Sequence, residues 1–329
     1  MRVLVTGATG FVGRHLLSAL ERAGHSLSLP LRDSSAAARL PSKIATDAHQ
    51  ISVVGSIDDQ TDWSEALRDV DAVIHLAARA HLLDERAGDE EAFMLVNARG
   101  TSRLVEQSVD AGVRRFVLMS SIGAVTASSE SLVTLDTPCR PQTPYGRSKL
   151  AGERALIDRC RSTTMAWTIL RPTLVYGPGN PGNMGRLVGL VRRGLPLPLG
   201  AVANRRSFTF IENLVDVTTV ALTHPNAAGG VFLLGDGEDL STAELIRRIA
   251  DLTGSRTRLI SVPMPLLRSF ARTADAVAGA TGWSLPIDSA TLRRLESSLY
   301  VDISPLRERL GWTPPVRVEE GLKRMLAAP

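Results

Sequence analysis

Tyr145 and Lys149 stand four residues apart in the segment Tyr145-Gly146-Arg147-Ser148-Lys149. The chain holds 35 arginines but only three lysines, Lys43, Lys149 and Lys323, and only three tyrosines. A chance Tyr-x-x-x-Lys therefore has an expectation of about 0.03. On a helix this spacing puts both side chains on one face. A nearby ammonium favours the phenolate and lowers the tyrosine pKa from about 10, which makes the phenol a usable acid and base near neutral pH. The ordinary alternative is a surface tyrosine stacked beside an aliphatic lysine stem. Ser120 and Ser121 follow an apolar run over 116–119. At the carboxyl end of a parallel strand, a serine hydroxyl can hydrogen-bond a substrate oxygen or satisfy loop amides. The two serines have equal chemistry.

Gly7-Ala8-Thr9-Gly10-Phe11-Val12-Gly13 lies between the first apolar run and the first helical pattern. Glycines there permit a tight turn and let backbone amides approach a diphosphate, and the helix N-terminus adds partial positive charge. The spacing G-x-x-G-x-x-G differs by one residue from the dehydrogenase fingerprint, and three glycines alone are weak evidence. Their position at the first βα junction assigns Gly7, Thr9, Gly10, Phe11, Val12 and Gly13 to a dinucleotide. No Gly-Lys-Ser/Thr follows, so a P-loop is not supported. At the end of the second strand an acid would suit the ribose of NAD and an arginine the 2′-phosphate of NADP. The chain reads Leu31-Arg32-Asp33 there. Arg32 therefore favours NADP over NAD, although Asp33 is close enough to swing in.

These groups need a scaffold, and the hydrophobic pattern supplies one. Strands are expected over 3–5, 27–31, 51–54, 72–76 and 116–119. A helix over 11–23 has Val12, Leu16, Leu17 and Leu20 on one face. Alternating strands and helices imply an α/β Rossmann fold, a doubly wound parallel sheet. After Leu170-Arg171-Pro172 glycine and proline crowd the chain, and helices follow over 242–253, 266–278 and 305–310. The expected organisation is a dinucleotide-binding domain over 1–172 and a smaller C-terminal substrate lobe over 173–329, with some segments returning to the first.

Composition narrows the class. Of 329 residues 44% are apolar and 22% charged, which excludes a disordered chain; 4% are aromatic, so aliphatic side chains must build the core. The net charge of +4 is spread over isolated pairs such as Arg192-Arg193, so no nucleic-acid footprint is expected. Cys139 and Cys160 have neither metal nor disulfide spacing. No apolar run approaches 18 residues and the start lacks a signal-peptide pattern, so a cytoplasmic protein without a membrane span or metal is expected.

Together, the glycine loop, the serine pair and Tyr145/Lys149 resemble the extended short-chain dehydrogenase/reductase family. The chain looks closest to its nucleotide-sugar epimerases, dehydratases and 4-ketoreductases of polysaccharide assembly. The likeness covers nearly the whole chain. It includes His75-Leu76-Ala77-Ala78, Val96-Asn97-Ala98-Arg99-Gly100-Thr101, the segment from Leu170 to Gly179, Arg206-Ser207-Phe208 and Leu310-Gly311-Trp312. The resemblance implies Tyr145 as acid and base, Lys149 as the residue that orients the nicotinamide ribose, and Ser121 rather than Ser120 on the substrate oxygen. It places Ser56, Ile57, Leu76, Ala77, Ala78, Asn97, Pro172 and Val175 around the cofactor. Asn183, Leu187, Leu197, Arg206 and Arg294 fall where a nucleoside diphosphate is contacted. The Ser-Ser-Ile pattern resembles enzymes acting at C4 of UDP-N-acetyl sugars. The absence of an acidic partner near Ser120 argues against a 4,6-dehydratase. By the same resemblance a homodimer forms through helices over about 91–111 and 144–160, although their apolar positions suit packing on their own sheet equally well.

Two reactions fit these residues. A 4-ketoreductase consumes NADPH once per turnover, whereas an epimerase removes and returns the C4 hydride and regenerates NAD. Arg32 tilts the expectation to the NADPH-dependent reductase of a UDP-linked sugar, with the UDP-sugar 4-epimerase as the alternative. A non-catalytic dinucleotide sensor is a more distant reading, disfavoured because it has no use for Tyr145 and Lys149.

Overall fold

The computed structural model describes residues 1–44, 49–80, 89–180, 183–281 and 289–327; the side chains of Asp89, Asn183, Ala290 and residues 276–281 lie outside that set. The chain opens with β1 (Arg2–Thr6), α1 (Phe11–Arg22), β2 (Ser26–Leu31), β3 (Gln50–Val53) and β4 (Ala72–His75). It continues with α2 (Asp89–Met94), α3 (Gly100–Asp110), β5 (Arg115–Met119), α4 (Pro144–Cys160) and β6 (Ala166–Pro172). Then follow β7 (Leu174–Tyr176), α5 (Asn183–Arg192), β8 (Arg206–Phe210), α6 (Ile211–Thr223), β9 (Gly230–Leu234) and β10 (Asp239–Leu240). The last elements are α7 (Thr242–Thr253), α8 (Met264–Thr281), α9 (Ser289–Glu296), α10 (Ser304–Leu310) and α11 (Val318–Ala327).

Seven strands form one parallel sheet in the order β3-β2-β1-β4-β5-β6-β9. This is the doubly wound Rossmann arrangement, extended at one edge by β9. A separate three-stranded sheet has the order β10-β8-β7. Strands buried on both faces explain the short unbroken apolar runs: all four residues of β4 and the last four of β5 are buried. On one face Leu16, Leu17 and Leu20 of α1 join Leu214 and Val217 of α6 in the larger core. On the other, Leu104 and Val105 of α3 and Leu156 of α4 pack with Val73, Phe116 and Ile169. The helices expected to build a dimer thus turn these apolar positions toward their own sheet.

The single helix expected over about 91–111 is α2, a π-helical turn Leu95–Arg99, and α3 in succession. The wider turn seats Asn97 inward against α4, where a Cβ added to Gly152 would lie 2.5 Å from the Asn97 carbonyl oxygen. Such turns gather at functional sites. α4 begins where its sequence says it should. Thr143 accepts a hydrogen bond from Gly146 N at 3.0 Å, and Pro144 occupies the first turn, where no N–H is needed. The C-terminal segment is tied back by Trp312, whose indole N–H donates to Asp216 of α6 at 2.6 Å.

Candidate active site

The glycine loop between β1 and α1 is formed by backbone that approaches too closely for side chains. Gly7 has φ 69°, and a Cβ there would lie 2.9 Å from Ala77 N; one on Gly13 would meet the Gly7 carbonyl oxygen at 2.3 Å. Gly10 caps α1 with extended backbone, no side chain caps the helix, and its first turn carries no acid. The amides and dipole of α1 therefore face outward for an anion. Opposite the loop, Thr6 Oγ1 accepts from Leu76 N and Ala77 N, each at 3.1 Å, and contacts His75 Nδ1 at 2.7 Å. This holds the half-buried run Leu76-Ala77-Ala78 beside the glycines. Burial lowers the His75 pKa to about 3, with the Lys149 charge adding to the effect, so the imidazole is neutral. Thr6 and His75 therefore have a structural task that the glycine spacing does not advertise.

Asn97 is buried and saturated. Its Oδ1 accepts from Arg79 N at 2.8 Å, and its Nδ2 donates to the Arg79 carbonyl at 3.0 Å and to Ser148 Oγ at 2.9 Å. It fixes the chain after β4 to the helix carrying Tyr145. Ser121 begins the short turn Ile122–Ala124 and accepts from Gly123 N at 3.1 Å. Its hydroxyl also hydrogen-bonds Tyr145, which tends to lower the phenol pKa. Only glycine at 146 lets α4 dock here, because a Cβ would lie 2.3 Å from the Gly123 carbonyl oxygen. Phe93 of α2 packs edge-on to Tyr145 with ring centroids 6.1 Å apart.

Two expectations change at this point. The Tyr145 pKa is raised rather than lowered, because burial of the phenol outweighs the Ser121 hydrogen bond. The Lys149 ammonium donates to the Met119 carbonyl at 2.6 Å, and burial brings its pKa down to about 8 against the opposing charge of Glu153. Ser120 does have an acidic partner: its Oγ donates to Glu153 Oε1. Glu153 is also held bidentately by Arg171, with Nε at 2.9 Å and an Nη at 2.6 Å. An ion-paired carboxylate of this kind is a poor acid for elimination chemistry. Glu153 lies four residues after Lys149, a helical repeat that offers the sequence signal for it. The same bond leaves Ser121, not Ser120, beside the phenol.

The remaining positions divide. Arg32 follows β2 and is exposed, while Asp33 is committed to capping the next turn, accepting from Ala36 N at 3.0 Å. Ser56 is exposed, and Ile57 packs against Gly100, where a Cβ would meet its Cγ2 at 2.6 Å. Pro172 ends β6, buried, and Val175 sits half-buried in β7. Leu187 lies on α5 against the larger core. Leu197 is buried in that core, and its backbone bonds to Arg258 and Ile260, each at 2.9 Å. The Asn183 side chain lies outside the described residues. Arg206 and Arg294 do come together. Arg206 donates to the Arg294 carbonyl at 2.5 Å and to Ser297 at 3.4 Å, and burial lowers its pKa. These acceptors are uncharged, which suits a site for an anionic ligand. Next to it, Asn204, Arg293, Ser297, Ser128 and Glu130 help line a cavity of about 520 Å³. Among the described residues no cluster could hold a metal ion, and no helix is long and apolar enough to cross a membrane.

A family model described as NAD dependent epimerase/dehydratase matches residues 3–235. The chain belongs to that family. It is 37% identical over 332 residues to a UDP-glucose 4-epimerase of Vibrio cholerae, covering 99% of this chain and 94% of that one. It is 25% identical over 326 residues to an N-acetyl-alpha-D-glucosaminyl-diphospho-ditrans,octacis-undecaprenol 4-epimerase of Escherichia coli O157:H7, covering 98% and 94%. Among solved structures, a UDP-glucuronic acid 4-epimerase variant from Bacillus cereus superimposes with TM-score 0.77 at 26% identity, covering 99% and 98% of the chains. That structure holds UDP-4-deoxy-4-fluoro-glucuronic acid and NAD. The likeness to extended short-chain dehydrogenases read from the motifs is therefore a membership.

Proposed function

We propose that the protein is a UDP-sugar 4-epimerase that uses bound NAD, with Tyr145 as its acid and base. The observation that carries this reading is the 37% identity with a UDP-glucose 4-epimerase along 99% of the chain. The residues present fit a dinucleotide, since the cradle at Gly7 and Gly13 has no room for a Cβ and the α1 amides face outward. When bound, the nicotinamide supplies the site that accepts and returns hydride at the sugar C4. Tyr145 takes the proton of the C4 hydroxyl and gives it back, and Ser121 hydrogen-bonds the same oxygen. Lys149 orients the ribose, and Arg206 with its neighbours on α9 binds the diphosphate. The name of the lipid-linked relative also contains a diphosphate, and the UDP group follows the relative of higher identity.

The reductase reading gives way with its premise. It rested on Arg32, and NAD accompanies the related structures at 26% identity. In the expected assembly two copies associate, and light scattering at micromolar concentration reads the mass. The activity test omits reductant: purified protein interconverts UDP-glucose and UDP-galactose, or their N-acetyl forms, and releases NAD on denaturation. Turnover of a 4-keto sugar only with added NADPH would overturn this reading.

A further inference from the structure

Behind the Tyr145–Lys149 face, a network of ionic and polar groups is sealed inside the protein. The Glu153 and Arg171 side chains are 1% and 9% exposed. Glu153 Oε1 accepts from Ser120 Oγ and from Arg171 Nε, Oε2 accepts from an Arg171 Nη, and that guanidinium reaches Cys139 Sγ at 3.5 Å. The network ties three parts of the active-site edge: the residue after β5, the body of α4, and the end of β6. A carboxylate and a guanidinium buried together roughly break even in stability against an apolar pair of the same shape. A positional task explains better why charge is placed here.

That task concerns Lys149, one helical turn before Glu153. The lysine is 3% exposed, and its ammonium meets the Met119 carbonyl at 2.6 Å. Apart from that carbonyl, His75 on β4 and Tyr145 on α4 bring no negative charge, since the imidazole and the phenol are neutral, and Arg171 on β6 is the cation paired with Glu153. Cys139 lies at the far side of Arg171. Around α4, the ion pairs Arg147–Glu90, Arg159–Asp110, Arg99–Glu91 and Arg103–Glu106 stand in solvent, where water screens them. Glu153 is the buried anion at this place. We propose that Glu153 is a positioning residue whose carboxylate, clamped by Arg171 and Ser120, keeps the buried Lys149 side chain charged and fixed beneath the β5 terminus. The proposal rests on the reading of Lys149 as the ribose- and tyrosine-facing lysine of an epimerase.

The direction is set by electrostatics. Burial already brings the Lys149 pKa to about 8, and Glu153 acts against that fall. In Glu153→Gln the carboxylate that opposes the effect of burial is gone, and Lys149 releases its proton at lower pH. The chain's lysine poverty makes this readable. With Lys43→Arg and Lys323→Arg, carbon-13 lysine labelling gives a single signal, that of Lys149, in the cofactor-loaded protein. Its titration midpoint is expected to fall by about one unit or more in Glu153→Gln and by less in Glu153→Asp. The basic limb of the kcat profile follows, while KM changes less than about threefold. A role in folding alone lowers the melting temperature and leaves the midpoint in place, which overturns the proposal. If Glu153→Gln does not fold, Glu153→Asp carries the test, and an unmoved midpoint there overturns it equally. The lysine titration is independent of turnover. A protein without epimerase activity whose midpoint still follows Glu153 refutes the proposed function and supports the coupling.

Discussion

The two ends of the cleft are built on different principles. At the edge formed by β1, β4 and β5, position is set by backbone: glycines too crowded for a Cβ, amides accepted by Thr6, and Asn97 saturated by three hydrogen bonds. At β8 the group that stands out is a long side chain, Arg206, whose partners are the main-chain oxygen of Arg294 in α9 and the two oxygens of Ser297 just beyond that helix. On the proposed function the first end takes a cofactor that never changes and the second a substrate, since an arginine held by neutral acceptors retains its charge for an incoming anion.

The largest effect that follows is at the rigid end. On the proposed function Tyr145→Phe removes the proton carrier and leaves the cradle intact. Turnover is expected to fall by about 10²–10⁴, the usual contribution of general acid–base catalysis, with dinucleotide still bound. Steady-state kinetics and cofactor release on denaturation check both halves. Retained turnover would mean that another group carries the proton.

The joint between the two regions comes next. Asp236 follows β9 and receives the Phe210 amide at 2.9 Å and Asn213 Nδ2 at 2.7 Å, linking the main sheet to β8 and α6. Burial raises its pKa to about 6 from the usual 3.8, outweighing those hydrogen bonds. A raised carboxylate pKa gives stability that is fully present below about pH 4 and is lost as pH rises through about 6. The loss amounts to about 3 kcal/mol. Denaturant unfolding at pH 4 and pH 7 should therefore show Asp236→Asn gaining on the wild type by roughly that amount. A constant difference between the two would place the native pKa near its ordinary value.

At the adaptable end, Arg206→Ala should raise KM for a UDP-sugar by roughly tenfold to a hundredfold, as expected for one charge-assisted hydrogen bond. NAD binding should stay within about twofold. Equal loss of both ligands would show that Arg206 supports the fold rather than the diphosphate.

The same contrast explains how much was legible beforehand. The parallel sheet, α4 from its proline cap onward, and the glycine loop are local: periodicity, capping and tight spacing lie within a few residues of each other. Glu153 escaped notice as the partner of Ser120 because they are 33 residues apart in sequence and join only when β5 and α4 pack. The π-helical turn Leu95–Arg99 contains no glycine or proline of its own to announce it. The burial of the Leu197 side chain in the core is likewise set by packing between distant segments, as its backbone bonds to Arg258 and Ile260 show. The phenol pKa was misjudged by counting the lysine charge and omitting desolvation, which sequence does not display.

Arg32 gives the smallest expected effect and the finest division between the readings. It is exposed after β2, and its neighbour Asp33 is occupied by the turn it caps. If the enzyme keeps NAD, there is no 2′-phosphate for the guanidinium to grip, and Arg32→Ala behaves as a surface substitution worth about 0.5 kcal/mol or less. Affinity for NAD then shifts by under about threefold, and NADP, bound weakly by wild type, changes little more. If NADPH is the physiological cofactor, the same substitution removes a charge-assisted bond worth about 1.5–3 kcal/mol and weakens NADPH selectively, roughly tenfold to a hundredfold. Salt should erode that selective loss, because the arginine stands in solvent. Titration of apoprotein with both cofactors by nicotinamide fluorescence separates the cases. A selective NADPH loss would return the second strand's arginine to cofactor choice, and the reductase would then outrank the epimerase.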